Sequence, residues 1–268
     1  MERHVTPRVV SCEIDSRTVK LSGSSHTASS PVLAKTIGCG AYHSMMVLIQ
    51  SKIDGSDDVI ASESIFTSGL NNYGQLGLGE DVGVQVNIAR EITRIRHDSG
   101  NMTASPVEFD SRNASIQTVC GGVHHSCALL RGGSTGSSGG PEIYTWGRCD
   151  SGQLGIKSVS DKAGESVNVP THMPLPLANS GSNGSVSDIT QLTCGGNHNM
   201  CLVNTRNTAD STAATSTAPE VYSWGYGDML ALGHGKEKDE MVPKVSLVWN
   251  VLYGIRLDCL NHSFNAYS

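Results

Sequence analysis

A chain of 268 residues can form one large domain or two ordinary ones, and its 30 glycines, nine prolines and 16% charged residues indicate short strands joined by tight turns. This composition disfavours a helix-rich architecture. The net charge of −6 argues against an extended nucleic-acid surface, because phosphate binding normally needs a concentrated excess of Lys and Arg. A basic partner is the better electrostatic match.

Residues 1–35 are predicted to hold the end of a preceding repeat and a polar linker. The stretch RHVTPRVV (Arg3 to Val10) is similar to MVPKV (Met241 to Val245), which closes a later unit. The N-terminus lacks the apolar region of a secretory signal, and no apolar run approaches the roughly 18 residues that span a bilayer. We therefore expect an intracellular protein that makes no contact with a membrane.

A two-part unit occurs three times, at about residues 36–95, 116–177 and 189–245. Its first part is a small-residue turn, a His and an apolar strand: IGCGAYHSMMVL (Ile37 to Leu48), VCGGVHHSCALL (Val119 to Leu130) and TCGGNHNMCLV (Thr193 to Val203). Its second part is an alternating strand followed by a glycine turn: SIFTSGLNNYGQLG (Ser64 to Gly77), EIYTWGRCDSGQLG (Glu142 to Gly155) and EVYSWGYGDMLALG (Glu220 to Gly233). The alternation predicts a strand and the glycines predict positive-φ turns, so each unit should form a module of about four strands.

Polar insertions lengthen the units beyond the usual 40 to 50 or so residues of a propeller blade. The stretches at 129–142 and 204–220 are rich in Gly, Ser, Thr and Ala, and further insertions at 96–113 and 178–188 separate the units. Such composition cannot build a core, so we expect mobile surface loops. Residues 246–268 are apolar but lack the Gly-Gly-x-His turn, which predicts an incomplete or aberrant C-terminal segment.

The eight cysteines form no Cys-x-x-Cys pair, and they are Cys12, Cys39, Cys120, Cys127, Cys149, Cys194, Cys201 and Cys259. Cys120/Cys127 and Cys194/Cys201 have the same spacing, which predicts the same places in successive repeats. Buried free cysteine behaves as a small hydrophobe. We therefore expect core packing in a reducing compartment, with metal or disulfide roles as the alternative.

The histidines fall into two groups. His43, His125 and His198 share one repeat position, and we expect structural roles that satisfy local backbone groups without forming a metal site. His124 is the extra residue of a doubled pair and has no counterpart in the flanking repeats. The aromatic residues of the alternating strands, Trp146, Tyr222 and Trp224, are predicted to pack between blades.

Motifs of nucleotide-binding and hydrolytic enzymes are absent from the sequence. GHGKEK (Gly233 to Lys238) contains Gly-Lys, but Leu230 stands where a phosphate-binding loop needs its first glycine, and Glu237 stands where it needs Ser or Thr. No Gly-x-Ser-x-Gly turn or His-Glu-x-x-His helix occurs either. No cofactor and no metal are therefore expected.

These units resemble the regulator of chromosome condensation repeat family, whose units read roughly as Gly-x-x-His-Ser, then Val-Tyr-x-Trp-Gly and Gly-Gln-Leu-Gly. CGAY (Cys39 to Tyr42), GLNNYGQLG (Gly69 to Gly77) and GGVHH (Gly121 to His125), in that order, resemble the C-terminal half of the family's exchange factor. The resemblance implies an all-β, seven-bladed β-propeller, of which this chain holds about three blades. Because a three-blade arc exposes sheet edges, we expect part of a longer product or a chain that is poorly stable alone.

The function implied by this resemblance is guanine-nucleotide exchange on the small GTPase Ran at chromatin in the nucleus, with a cytoplasmic pool as an alternative. An exchange factor stabilises the nucleotide-free GTPase and does no covalent chemistry of its own. The first histidine of the doublet is implicated in exchange in that relative, which makes His124 the candidate exchange residue. The relative's wedge hairpin and basic tail would lie in parts not in this chain, so chromatin or nucleosome contact is expected only through those parts.

Acidic residues in or just after the glycine turns are the candidate contacts to a basic GTPase surface: Asp150, Asp228, Glu237, Asp239 and Glu240. They would speed association by electrostatic steering, and solvated loop charge is the alternative for each. The alternative function is a non-catalytic propeller that serves as a protein-interaction platform. A secreted lectin-like propeller is disfavoured, because neither a signal peptide nor a disulfide pattern is indicated.

Overall fold

The computed structural model describes residues 32–53, 59–80, 82–97, 107–108, 115–132, 140–160, 166–176, 184–207 and 219–246. The predictions for the N-terminal 31 residues, for residues 247–268 and for most of the inserted loops lie outside these ranges.

Three four-stranded antiparallel sheets account for nearly all the regular structure, and we call them blades 1, 2 and 3. Blade 1 contains β1 (Val32–Cys39), β2 (His43–Ile53), β3 (Val59–Leu70) and β4 (Gln85–Glu91), adjacent in that order. A two-stranded ribbon of β5 (Arg94–Ile95) and β6 (Val107–Glu108) follows. Blade 2 contains β7 (Ser115–Gly121), β8 (His125–Arg131), β9 (Pro141–Arg148) and β10 (Ser166–Met173).

Blade 3 repeats this order with β11 (Gly184–Cys194), β12 (His198–Asn207), β13 (Glu220–Gly225) and β14 (Glu240–Val245). The described helices are one turn of α-helix, α1 (Lys157–Ser160), and a 3₁₀ turn at Asp228–Leu230. The predicted all-β fold of three propeller blades is confirmed.

One end of the blades, which we call the turn face, carries the turns of both motifs of each repeat. His43 pairs with Gly69, His125 with Gly147 and His198 with Gly225. In each blade, the turn between the first and second strands therefore lies beside the turn between the third and fourth strands. The inserted segments at 129–142 and 204–220 join the second strand of a blade to the third and therefore leave from the opposite end. The two ends thus separate the histidine turns from the inserted loops.

Aromatic side chains fill the interfaces between blades. Trp146, Trp224 and Tyr222 are fully buried, which confirms their predicted core role. The indole Nε1 of Trp146 donates to the carbonyl of Gln75 in blade 1 at 2.8 Å, and Trp224 donates to the carbonyl of Gln153 in blade 2 at 3.1 Å. Each tryptophan therefore contributes apolar burial and one directional bond to the preceding blade.

Glycine is needed in the turn between the third and fourth strands, where that turn packs against the next blade. Gly74 and Gly152 have φ of 71° and 76°, as the sequence predicted. A Cβ on Gly152 would lie 2.7 Å from the carbonyl oxygen of Glu240 in β14, which leaves no room for a side chain. Leu230 occupies the same place in blade 3, with φ of 58°.

The cysteines do not occupy repeated places, so that prediction is wrong. Cys194 pairs with Asn199, the residue after His198, whereas the residue that pairs with Ser126, after His125, is Gly121. Cys120 is therefore shifted by one position, and a shift of one turns a strand side chain to the opposite face.

The described cysteines form no disulfide with one another, but they differ in burial. Cys127, Cys149 and Cys201 are buried, as predicted, Cys120 and Cys194 are half-buried, and Cys39 is exposed, contrary to the expectation of core packing. Cys12 and Cys259 lie outside the described residues.

Candidate functional site

The histidines of the shared repeat position hold neighbouring blades together. His43 Nε2 lies 2.8 Å from Ser126 Oγ, and His125 Nε2 lies 2.8 Å from Asn199 Oδ1. The structural role of His43 and His125 is confirmed, but their partners are side chains of the next blade and not local backbone groups, and the role of His198 stays a prediction. Burial lowers the pKa of both histidines to about 4, so both are neutral near pH 7.

His124 has structural counterparts in both flanking blades, so the expectation that it is an extra position is wrong. The carbonyls of Tyr42, His124 and Asn197 each accept a hydrogen bond at 2.9 Å, from the backbone N–H groups of Leu70, Arg148 and Tyr226 respectively. The same turn thus presents a tyrosine, a histidine and an asparagine in successive blades. Only the side chain distinguishes His124.

Aromatic rings surround His124 on the turn face. Its ring centroid lies 5.8 Å from that of Tyr42, at an interplanar angle of 26°, and 4.8 Å from that of Tyr73. The guanidinium carbon of Arg148 lies 5.2 Å from the Tyr73 ring centroid. We call Tyr42, Tyr73, His124, Arg148 and Asp150 the His124 cluster, which joins side chains of blades 1 and 2.

Charge in the His124 cluster is paired. Arg148 Nε donates to both carboxylate oxygens of Asp150, at 2.8 and 2.9 Å. Partial burial opposes ionisation of Asp150, but hydrogen bonds from Arg148 and Gln153 outweigh it and lower the pKa of this carboxyl. Asp150 is therefore a paired carboxylate near neutral pH.

The imidazole of His124 is held mainly by ring packing. Partial burial lowers its pKa, Arg148 lowers it further, and Asp150 opposes the shift. Its buried Nδ1 atom has no hydrogen-bond partner among the described residues. The ring is thus predominantly neutral near pH 7, and because Nδ1 is buried, a partner would contact the half-buried ring and not that atom.

The remaining acidic candidates do not form one site with His124. Asp228 is exposed, occupies the place in blade 3 that Asp150 occupies in blade 2, and accepts a hydrogen bond from Tyr226 Oη. Asp239 accepts a bond from the backbone N–H of Gly227 at 2.8 Å, and Glu240, with a side chain only 14% exposed, pairs with Lys244 at 2.7 Å. Glu237 is exposed. Asp150 and Asp228 therefore lie on the turn face, whereas Asp239 and Glu240 also brace blade 3.

Two residues of the third turn were not predicted. Met229 and Leu230 have positive φ and are 89% and 52% exposed, beside the exposed ring of Tyr226. The signal was in the sequence, because DMLALG departs from the DSGQLG of the preceding unit. Sequence reasoning also missed Tyr42, Tyr73 and Arg148, whose contacts with His124 or Tyr73 depend on the packing of two blades.

No helix in the described part of the chain is long and apolar enough to cross a membrane.

Comparison with known proteins identifies the repeats. The regulator of chromosome condensation (RCC1) repeat model matches residues 62–129 and 142–202. The chain is 31% identical over 157 residues to the ultraviolet-B receptor UVR8 of Arabidopsis thaliana, covering 59% of this chain and 27% of the receptor. It is 26% identical over 180 residues to the guanine nucleotide exchange factor SRM1 of Saccharomyces cerevisiae, covering 64% of this chain and 28% of that protein.

A human relative is named for a different activity. The probable E3 ubiquitin-protein ligase HERC3 is 24% identical over 209 residues, which cover 78% of this chain and 14% of the ligase. The chain thus spans less than a third of the length of each of these three proteins. Together with the three repeated blades, the matches show that the chain belongs to the regulator of chromosome condensation (RCC1) repeat family.

Proposed function

We propose that this chain is part of a guanine-nucleotide exchange factor for the small GTPase Ran, acting at chromatin in the nucleus. It would stabilise the nucleotide-free GTPase, and any contact with the nucleosome would use parts outside this chain. A relative named as a guanine nucleotide exchange factor supports the general activity. The identity of the GTPase rests on the sequence resemblance.

The His124 cluster is the observation that carries this proposal. A neutral imidazole with an unpartnered nitrogen lies between two tyrosines, next to an ion-paired arginine. Aromatic and arginine side chains at a partly desolvated surface are typical of residues that dominate binding energy. This surface is therefore suited to bind a protein partner.

Nucleotide exchange requires only that the exchange factor bind the nucleotide-free and the nucleotide-loaded GTPase with different affinities. If the turn face binds the nucleotide-free GTPase more tightly than the loaded one, the same difference weakens nucleotide binding, because the coupling is reciprocal. His124 would supply ring contacts to the nucleotide-free form. Asp228 would favour approach of a basic surface, whereas Asp150, whose charge Arg148 balances, would contribute by orienting that arginine toward the partner.

The test is release of a fluorescent GDP analogue from purified Ran, with the chain and with any longer natural product that contains it. We expect acceleration that falls at least about 10-fold in His124→Ala, the loss typical of a dominant contact residue. Asn197→Ala changes the same turn position in blade 3 and should retain most of the rate. A folded longer product that gives no acceleration would rule out exchange on Ran.

A non-catalytic interaction platform is the second candidate. It is supported by the third turn, where Tyr226, Met229 and Leu230 expose apolar surface next to Asp228, and by relatives named as a receptor and a ubiquitin ligase. Platform function predicts stable partner capture that is lost in Met229→Asp and retained in His124→Ala. Exchange activity predicts the opposite ranking of the two variants.

A further inference from the structure

Three thiols meet at the interface between blades 2 and 3. The Sγ atoms of Cys120, Cys127 and Cys194 all lie within 4.8 Å of one another. Cys120 and Cys127 are direct cross-strand partners on β7 and β8, and Cys194 reaches them from β11 of blade 3. The Sγ atoms of Cys120 and Cys194 are 3.0 Å apart.

The proximity of the three thiols depends on the one-residue shift of Cys120 relative to Cys194. Equivalent positions in successive blades point the same way around the propeller, so cysteines at truly repeated places would not face each other. Cys120 lies one position before the place of Cys194, and its side chain therefore points to the opposite face of its own blade. Cys39, at the place of Cys194 in blade 1, is exposed and outside the cluster.

We propose that Cys120, Cys127 and Cys194 form a zinc site that links blades 2 and 3. Thiolate sulfur is a preferred ligand of Zn²⁺, and three protein ligands with a fourth position for water is a known zinc arrangement. A Zn–S distance of about 2.3 Å with tetrahedral angles places the sulfurs about 3.8 Å apart. The observed separations, from 3.0 Å to no more than 4.8 Å, bracket that value.

Charge favours zinc over monovalent copper at this interface. Binding of Zn²⁺ displaces three thiol protons into solvent and forms three Zn–S bonds, which leaves a net charge of −1. The same three thiolates around Cu⁺ would leave a charge of −2. Because Cys127 is fully buried, the lower charge costs less desolvation.

Cobalt substitution tests this site in the full chain. The reduced, chelator-treated protein is titrated with Co²⁺ and then with Zn²⁺. We expect one Co²⁺ per chain, a thiolate-to-cobalt charge-transfer absorption, and displacement of the cobalt by zinc. The absorption should be lost in Cys127→Ser and in Cys194→Ser, and retained in Cys39→Ser.

A second measurement separates metal binding from misfolding. Cys201→Ser changes another buried thiol of the same interface, outside the cluster, and should keep the absorption. Zinc at about 100 times its Kd should raise the folding equilibrium constant about 100-fold in the wild type and in Cys39→Ser, but not in a folded Cys127→Ser.

Three results would overturn the zinc site. The first is no absorption in the reduced, folded wild type. The second is an absorption that survives in both cluster variants. The third is a Cys120–Cys194 disulfide whose reduced form takes up no metal.

Discussion

The second turn (Asp150 to Gln153) and the third turn (Asp228 to Ala231) occupy the same place in successive blades but meet different surroundings. Blade 3 covers the second turn, and Gly152 is buried against Glu240 of β14. The third turn instead exposes Met229 and Leu230. Both turns have positive φ at the third residue, and the third turn also has positive φ at its second residue, Met229. The covering blade, and not the turn itself, therefore excludes a side chain at that residue.

The amide side chain of Gln153 is a second difference between the second turn and the third turn. Gln153 Oε1 accepts the backbone N–H of Ser151 at 2.9 Å, and the carbonyl of Gln153 accepts bonds from Asn199 and Trp224 of blade 3. Ala231 has no side-chain amide to fix the third turn in this way. A covered turn is thus tied both internally and to its neighbour, whereas the third turn keeps an exposed surface for a partner.

Transferring the third turn's leucine to the second turn should have the largest effect. In Gly152→Leu, the new Cβ would collide with Glu240 and Met241 while φ stays near 76°, so we expect a loss of about 4 kcal/mol in the free energy of unfolding. Gly235→Leu is the matched control, because its φ is 70° but no atom lies within 4 Å of its Cβ position. Urea denaturation measures both, and equal losses would show that strain, not the covering blade, sets the cost.

The burial of His125 against blade 3 should also make the stability of the fold depend on pH. Its folded pKa of about 4 is below the unfolded value of 6.5, so stability is full above pH 6.5 and falls as pH drops toward 4. We expect His125 alone to account for about 3 kcal/mol of that loss. Denaturation at pH 7 and pH 4 should show a smaller loss in His125→Gln. His198→Gln, a change in the half-buried histidine of blade 3, should keep most of it, and identical profiles for the two variants would contradict this assignment.

Removing the bond from blade 3 to the second turn should have an intermediate effect. Asn199 is fully buried and donates to the carbonyl of Gln153 at 2.7 Å. Asn199→Ala leaves that carbonyl and His125 with fewer partners, and we expect a loss of about 2 kcal/mol in the free energy of unfolding. Asn199→Ser introduces the residue used at the preceding interface, Ser126, and should lose less. Equal losses in the two variants would mean that packing volume, and not hydrogen bonding, dominates, because alanine and serine leave nearly the same cavity.

Relaxing the third turn should have the smallest effect, with the opposite sign. Leu230→Gly removes an exposed side chain at φ of 58°, and we expect a gain of up to about 1 kcal/mol, since the relief of strain exceeds the entropy cost of glycine. Thermal unfolding would measure the gain. Destabilisation by 1 kcal/mol or more would contradict the exposed position of Leu230 and would show that its side chain packs against other residues in solution.

The sequence predicted the features that depend on local pattern. The repeated motifs predicted the strands, and alternation within them predicted the burial of Trp146, Trp224 and Tyr222. The positive φ of Gly74 and Gly152 followed from their turn positions. Each of these properties depends on residues close in the chain, which is why it could be derived from one sequence.

The candidate site was predicted only in part. His124 was singled out, but its neighbours Tyr42 and Tyr73 come from blade 1, and Arg148 was overlooked in a strand-to-turn junction. The acidic residues were treated as one group, although Asp239 and Glu240 have partners within blade 3. Contacts between residues distant in the chain leave no fixed spacing in the sequence.

The sequence by itself determined the repeated strand-and-turn units, because alternation and glycine placement act over a few residues. The tertiary structure decided the strand registers and the packing of one blade on the next. The equal spacing of Cys120/Cys127 and Cys194/Cys201 suggested equivalent places, but the strand registers put Gly121 at the place of Cys194, so Cys120 lies one position earlier. Since neighbouring strand residues point to opposite faces, that shift alone decides which thiols meet between blades 2 and 3.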